Sequence, residues 1–72
     1  MSIKLDLQVK FGKRLRLLRR TNDLTQEQLA EKVGCSTEYI SRVERGLVSP
    51  SFKIIQQLAE KLKIEPKSFF EF

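Results

Sequence analysis

The chain has 72 residues, a net charge of +5, one cysteine and no histidine. A chain of this length forms one domain, residues 1–72, and buries only roughly 60% of the surface that it exposes when unfolded. Because Cys35 is the sole cysteine and histidine is absent, the composition excludes a histidine-based triad, a Cys–His catalytic pair and a zinc site of several Cys or His ligands. We therefore expect no enzyme, no metal site and no cofactor.

Basic residues are concentrated near the N-terminus. Residues 1–20 hold seven cations and one anion, whereas residues 21–72 hold seven cations and eight anions. A basic segment of this kind either faces phosphate groups or forms an ordinary solvated helix face, and the asymmetry favours the first. The alternative for the net charge is that it only keeps the chain soluble.

Residues 7–20 are predicted to form the first helix. Three apolar side chains recur there at the spacing of one helix face, namely Phe11, Leu15 and Leu18. Gly12 lies inside this helix and costs about 1 kcal/mol relative to alanine, which indicates the close approach of another backbone. Asn22 and Asp23 tolerate the left-handed conformation and are predicted to end the helix.

The start of the first helix is open to two interpretations. Asp6 is the candidate N-cap. The apolar residues around it alternate with polar ones, which favours a short strand instead; they are Ile3, Leu5 and Leu7.

Capping signals place the second and third helices. Thr25 and Gln28 form a predicted capping box, in which each side chain bonds the backbone N–H of the other residue. Gly34 follows the second helix as a residue free to take positive φ, and Ser36 is the predicted N-cap of the third. The inward-facing apolar residues of the two helices are Leu29, Ala30, Val33, Ile40 and Val43.

Two further helices complete the prediction of a compact, all-α, five-helix domain. Ser51 is predicted to cap the fourth helix, and Pro66 to open a short fifth helix from a first-turn position. The fourth helix has a broad apolar stripe of Ile54, Ile55, Leu58, Ala59 and Leu62. The connections are short, as a compact bundle requires.

The second and third helices together form a helix-turn-helix pattern at residues 25–46. Only Gly34, Cys35 and Ser36 separate the two helices, and helices joined by so short a turn cross steeply. The apolar face of the third helix would turn its polar residues outward, namely Thr37, Glu38, Ser41, Arg42 and Arg45. Such a helix fits a DNA major groove about 12 Å wide.

Two runs within this pattern resemble the lambda-repressor-like (Xre-type) helix-turn-helix family. They are residues 24–34, LTQEQLAEKVG, and residues 39–46, YISRVERG. The likeness continues through Ser-Pro-Ser at residues 49–51 and the apolar pattern of the fourth helix, so that it covers about residues 11–64. The small size and the ending Ser-Phe-Phe-Glu at residues 68–71 are also similar to controller proteins of restriction–modification systems.

The resemblance implies that five residues read DNA bases, namely Ser36, Thr37, Glu38, Ser41 and Arg42. Arg42 can donate two hydrogen bonds to guanine, and Glu38 can accept one from cytosine N4. Alternatively, Arg42 is an ordinary surface cation and Glu38 is an acid that complements the helix dipole.

Phosphate contacts are expected from Gln26, Tyr39, Arg45, Ser49, Ser51 and Lys53. The resemblance implies that Gln26 bonds a phosphate and braces the third helix; otherwise it is an ordinary exposed residue. The start of the fourth helix suits phosphate because helix N-termini present free N–H groups. Tyr39 can instead be purely structural. Lys10, Lys13 and Arg14 either flank the DNA backbone or form a solvated face.

Arg19 and Glu44 match a pair that forms a buried salt bridge between the first and third helices of related proteins. The resemblance therefore implies the same bridge here, with the role of orienting the third helix.

The C-terminal region carries a large load of aromatic residues, namely Phe52, Phe69, Phe70 and Phe72. Some must complete the core, and the rest would form an exposed apolar patch of the kind that marks an interface. We expect a homodimer formed through the fourth and fifth helices, about residues 51–72, with Ile64, Phe69 and Phe70 at the interface.

The predicted function is that of a transcriptional regulator, which binds double-stranded DNA sequence-specifically as a homodimer on a pseudo-palindromic operator. The alternative is a protein-interaction module, such as an antitoxin whose Phe-rich C-terminus holds a partner protein while DNA binding serves autoregulation. RNA polymerase would be a further partner if the protein activates transcription.

The expected location is the reducing cytoplasm, because the chain has a lone cysteine and no apolar run of 18 residues. Neither membrane association nor a small-molecule effector is expected.

Overall fold

The computed structural model describes residues 3–72, with side chains from Leu7 onward. Among these residues there are four α-helices, one 3-10 helix and no strand. The elements are α1, Ile3–Thr21; α2, Gln26–Val33; α3, Thr37–Glu44; α4, Phe52–Leu62; and the 3-10 helix, Pro66–Phe70. The all-α prediction is confirmed, and no helix of the described part has the length and apolar character needed to cross a bilayer.

The predicted fifth α-helix is wrong, because residues 66–70 form a 3-10 helix. Pro66 opens this element as predicted, but the Ser68 N–H bonds the Glu65 carbonyl three residues back, at 2.9 Å. The Ser68 carbonyl accepts a hydrogen bond from Arg14, a group outside the segment. The segment has only five residues, which is typical of the short runs in which 3-10 helices occur.

The predictions for the start of α1 are also wrong. The helix begins at Ile3, so that Asp6 lies inside it and is not an N-cap, and the alternating segment is not a strand. Leu7 precedes Phe11 by one turn, which extends the helical apolar face toward the N-terminus. A helix also satisfies its own backbone hydrogen bonds, whereas a strand without a neighbour does not. At the other end, Asp23 takes a left-handed φ of 58°.

The caps of α2, α3 and α4 are local and follow the sequence. The Gln28 N–H donates to the Thr25 hydroxyl at 3.0 Å, and the Thr25 N–H donates to the Gln28 side-chain oxygen at 2.9 Å. Ser36 and Ser51 accept backbone N–H groups in the same way at the starts of α3 and α4. Each bond pairs a donor that the helix itself leaves unpaired.

The core lies between the helices: α3 packs on α1 and α2, α4 packs on α2, and the 3-10 helix packs on α1 and α4. It comprises the buried side chains of Phe11, Leu15, Leu29, Ala30, Ile40, Val43, Leu58, Ala59, Leu62 and Phe69. The rings of Phe11 and Phe69 are 5.1 Å apart between centroids. This contact joins α1 to the 3-10 helix near the C-terminus. The helix α1 thus packs on both the 3-10 helix and α3.

The backbones of α1 and α3 meet at Gly12, as the glycine inside the first helix predicts. A Cβ atom at this position would contact the Val43 carbonyl oxygen and lie 2.6 Å from the Glu44 carbonyl oxygen. Both obstructing atoms belong to the backbone and cannot rotate away. The end of α3 is therefore seated directly on α1.

Replacing Gly12 with alanine should lower the free energy of unfolding by about 1–3 kcal/mol, because the added methyl group overpacks a backbone contact. Thermal or urea denaturation would measure the loss. Lys13→Ala, at the neighbouring exposed position, is the matched control and should change stability by about 0.5 kcal/mol or less. Equal effects of the two substitutions would contradict the close contact.

Candidate nucleic-acid interface

The third helix has one buried face and one free face. Ile40 and Val43 are completely buried. The opposite side carries the polar residues Thr37, Glu38, Ser41, Arg42 and Arg45, of which Ser41 is half-buried and the others are exposed. The chain's own atoms therefore leave this polar side accessible, as the helix-turn-helix pattern predicts.

A buried ion pair holds α3 against α1. Arg19 Nε donates to Glu44 Oε2 at 2.6 Å and Arg19 Nη2 donates to Oε1 at 3.1 Å. The two side chains are only 8% and 2% exposed. Arg19 Nη1 also donates to the Leu24 carbonyl at 2.7 Å. All three guanidinium nitrogens thus have acceptors, and the pair joins α1, the α1–α2 connection and α3.

Gln26 extends this network to the start of α2. Its Nε2 donates to Glu44 Oε1 at 3.0 Å, and the side chain is half-buried. An amide group has two N–H donors, so this bond leaves one for another acceptor. Gln26 was expected to brace α3 and to contact phosphate. Its side chain contacts the Glu44 carboxylate, which holds α3 against α1.

The two capping serines keep a donor for a ligand. The hydroxyls of Ser36 and Ser51 accept the N–H groups of Tyr39 and Ile54, at 3.0 and 3.2 Å. A hydroxyl that accepts such a bond can still donate its own hydrogen. Both residues are exposed, as are Ser49 and Lys53.

Glu38 and Arg42 form an ion pair on the free face of α3. Arg42 Nη2 lies 3.1 Å from Glu38 Oε2, one helical turn away, and the side chains are 52% and 72% exposed. One turn further along, Arg45 Nε donates to the Ser41 carbonyl at 3.3 Å. The family resemblance made both Glu38 and Arg42 candidates for base reading, but the bond between them was not predicted.

Tyr39 and Cys35 lie half-buried beside the turn between α2 and α3. Burial raises the pKa of the Tyr39 hydroxyl, and negative charge on Cys35 raises it further. Burial also raises the pKa of the Cys35 thiol. Tyr39 therefore stays protonated near neutral pH and can donate to an anion. In the described part of the chain, no cluster of His, Cys, Asp or Glu side chains is suited to a metal ion.

Some cations of α1 bind the chain's own C-terminal segment. Arg14 Nε donates to the Ser68 carbonyl at 2.7 Å, and Arg14 Nη2 lies 3.3 Å from Glu71 Oε1. Lys10 Nζ lies 5.5 Å from the centroid of the Phe72 ring. Sequence analysis missed these contacts, because the partners of Arg14 are more than fifty positions away and no local pattern links them.

One of the expected interface residues is buried in the core. The prediction that Phe69 lies at a surface is wrong, because its ring has no exposed area and packs on Phe11. Phe70 is 43% exposed, and Ile64 is half-buried against the core. Sequence analysis did not single out Phe52 for the interface, although its side chain is 90% exposed.

Phe52 and Phe70 flank an apolar groove between the start of α1, the loop before α4 and the 3-10 helix. The groove has a volume of about 190 Å³ and is lined mainly by Leu7, Phe11, Pro50, Phe52, Ile55 and Phe70.

The profile of the helix-turn-helix family matches residues 15–69. The chain belongs to the Xre-type helix-turn-helix family. The resemblance stated from the sequence is therefore confirmed, and the matched region includes α2, α3 and the residues of the buried ion pair.

Two restriction–modification controllers are similar to the chain over most of its length. The controller protein C.AhdI from Aeromonas hydrophila is 48% identical, and its crystal structure has a TM-score of 0.85 over 90% of this chain and 97% of that one. The control protein C.BamHI from Bacillus amyloliquefaciens is 29% identical over 68 residues, which are 93% of this chain and 84% of that protein.

A longer relative shares only this region. An uncharacterised HTH-type transcriptional regulator from Mycobacterium tuberculosis is 37% identical over 59 residues, which are 82% of this chain but 42% of that protein. The chain thus spans less than half the length of this relative.

Replacing Arg19 with alanine should lower the free energy of unfolding by about 3–5 kcal/mol, because Glu44 would be left as a buried charge without its partner. Chemical denaturation would measure the change. Arg20→Ala removes an exposed cation from the next position and should have little effect. A loss below about 0.5 kcal/mol for Arg19→Ala, the level of an ordinary surface substitution, would refute a structural role for the bridge.

Proposed function

We propose that the protein is a transcriptional regulator that binds double-stranded DNA sequence-specifically as a homodimer. The observation that carries this proposal is the geometry of α3, whose apolar side is buried while its polar side is free. An α-helix with such a side fits the major groove, which is about 12 Å wide and displays a distinct pattern of donors and acceptors for each base pair. The family membership and the similarity to the two controllers support the same function.

The base-reading residues are those at the start and along the free face of α3. Ser36, Thr37 and Ser41 are short enough to bond base edges without holding the helix away from the groove. Arg42 has the planar donor edge that matches guanine O6 and N7, and its ion-pair partner Glu38 lies beside it on the same face. Because α3 is anchored by a bidentate ion pair and a packed apolar face, these side chains project from a rigid element.

The phosphate contacts come from the residues that surround α3. Gln26 begins α2 and has one amide hydrogen left for a phosphate oxygen, and Tyr39 supplies a protonated hydroxyl. Arg45 follows α3, and the exposed start of α4 offers backbone N–H groups together with Ser51 and Lys53. Ser49 precedes that start in the loop. These groups position the protein on the duplex, while α3 reads the sequence.

A second copy of the chain would cover the apolar groove beside α4. Phe52 and Phe70 flank the groove and expose large ring surfaces, which a partner could bury. Phe52 and Phe70, together with the partly buried Ile64, form the apolar surface that we propose for the dimer interface, in the region from α4 to the C-terminus. Helix-turn-helix dimers of this kind bind two half-sites about 34 Å apart, so the operator would be pseudo-palindromic.

The antitoxin-type interaction module has less support, because C.AhdI and C.BamHI, which this chain matches over most of their own length, are restriction–modification controllers. As a regulator of transcription, the protein would act in the cytoplasm, where bacterial DNA lies.

DNA affinity should fall steeply as salt concentration rises, because phosphate contacts release condensed counterions. Titration of labelled duplexes, selected from a random pool, would give the slope of log K against log salt. Arg45→Ala should weaken binding to all sequences and reduce the slope by about 1. Lys61→Ala, at the opposite end of α4 from the proposed contacts, should leave the slope unchanged. Absence of binding at low salt would refute the proposed function.

The unmodified protein should sediment as a dimer at tens of micromolar. Phe52→Glu should shift it toward monomer without unfolding it, because the ring is 90% exposed and contributes little to the core. Leu47→Glu places the same charge on an exposed apolar residue outside the groove and serves as the control. A purely monomeric unmodified protein at this concentration would contradict the dimer.

A further inference from the structure

The recognition surface contains a negative charge that DNA binding by itself does not explain. Glu38 is 72% exposed on the free side of α3, where it would approach a polyanion. A carboxylate in that place repels phosphates and lowers non-specific affinity. Its bond to Arg42 offers a positive role for it.

We propose that Glu38 is a positioning residue for Arg42, and that the pair determines a guanine preference in the operator. This inference rests on the proposed DNA-binding function. The two residues are one turn apart with the acid on the N-terminal side, which is the favourable order for an ion pair within a helix. Glu38 therefore biases a long, flexible side chain weakly toward one orientation before the protein meets DNA.

The contact atoms leave the base-reading edge of Arg42 available. Glu38 Oε2 takes one hydrogen of Nη2, and each terminal guanidinium nitrogen carries two hydrogens. The second Nη2 hydrogen and the Nη1 hydrogens remain for guanine O6 and N7. A bias in the orientation of the guanidinium group reduces part of the conformational entropy that Arg42 loses on binding.

The pair also discriminates between the two kinds of acceptor that DNA presents. A lone arginine binds any phosphate, whereas an arginine beside a carboxylate approaches the negatively charged backbone as part of a neutral unit. The base edge carries no net charge, so Glu38 is repelled less strongly by a base than by a phosphate. The pair thus lowers the non-specific contribution of Arg42 and keeps its contribution to a guanine.

Burial at the DNA surface strengthens this arrangement. In water, an exposed pair of this kind contributes little, because solvent screens both charges. When α3 enters the groove, it displaces water, and the attraction between the two groups rises as the local dielectric falls, which offsets part of the cost of removing their charges from water. Glu38 therefore acts most strongly in the complex, where the base is read.

The test compares Glu38→Gln, Arg42→Lys and the double variant on duplexes selected by the unmodified protein. Each base pair is varied in turn, and affinity is also measured for an unrelated duplex. Glu38→Gln should reduce discrimination about tenfold at the base pair that Arg42→Lys affects, while affinity for the unrelated duplex rises. The double variant should lose no more discrimination than Arg42→Lys alone, because both changes disable one unit.

Glu27→Gln is the matched control. Glu27 is an exposed acid in the first turn of α2, as Glu38 is in the first turn of α3. Glu27→Gln therefore removes the same charge from the same position within a helix. It should raise affinity for all duplexes without altering discrimination. Thermal denaturation of each variant would establish that the fold is retained.

Three results would overturn the inference. Glu38→Gln could leave discrimination unchanged, which would make Glu38 an ordinary surface acid. It could alter a different base pair from Arg42→Lys, with additive effects, which would make Glu38 a direct reader of cytosine. If the unmodified protein bound no duplex at low salt, the proposed function would fail together with this inference; the first two results would leave that function intact.

Discussion

The orientation of the third helix depends on one buried ion pair. Removing two charges from water costs several kcal/mol per ion, and the attraction between them roughly offsets this only when the geometry is good. Here each guanidinium nitrogen of Arg19 has an acceptor, and both carboxylate oxygens of Glu44 have donors. The pair therefore adds little net stability, and its main effect is to fix the orientation of α3. It specifies which side of α3 turns outward, and therefore which residues can meet DNA.

The ion pair works because the backbones of α1 and α3 are already in contact. Gly12 lets the carbonyl groups of Val43 and Glu44 approach α1 to distances that a side chain would forbid. This contact brings the Glu44 carboxylate within reach of Arg19, two turns further along α1. Gln26 then attaches the start of α2 to the same carboxylate. Three helices thus meet at one group, and the proposed base-reading residues lie on an element with little freedom to tilt.

Features of the fold that have a local cause were predictable from the sequence. The capping box of Thr25 and Gln28 and the turn at Gly34 depend on neighbouring residues alone, so their types and spacing sufficed. Features that depend on a contact between residues far apart in the sequence were not predicted. Arg14 bonds the Ser68 carbonyl across the fold, and Phe69 packs on Phe11 rather than reaching the surface. Glu38 and Arg42 have the i, i+4 spacing of a helical ion pair, but each residue was expected to contact its own base, and the bond between them was not predicted.

The distribution of charge separates affinity from specificity on this surface. The excess of cations in residues 1–20 looks like a DNA-binding face, yet Arg19 is buried in the core network and Arg14 binds the C-terminal segment. On α3 itself, Arg42 is balanced by Glu38. The cations that we propose for phosphate contacts lie at the margins of this surface, with Arg45 after α3 and Lys53 at the start of α4. In the proposed complex, these margins would supply the long-range attraction to DNA, and the pairing of Glu38 with Arg42 would leave the centre of the surface with less net charge, where base edges would be read.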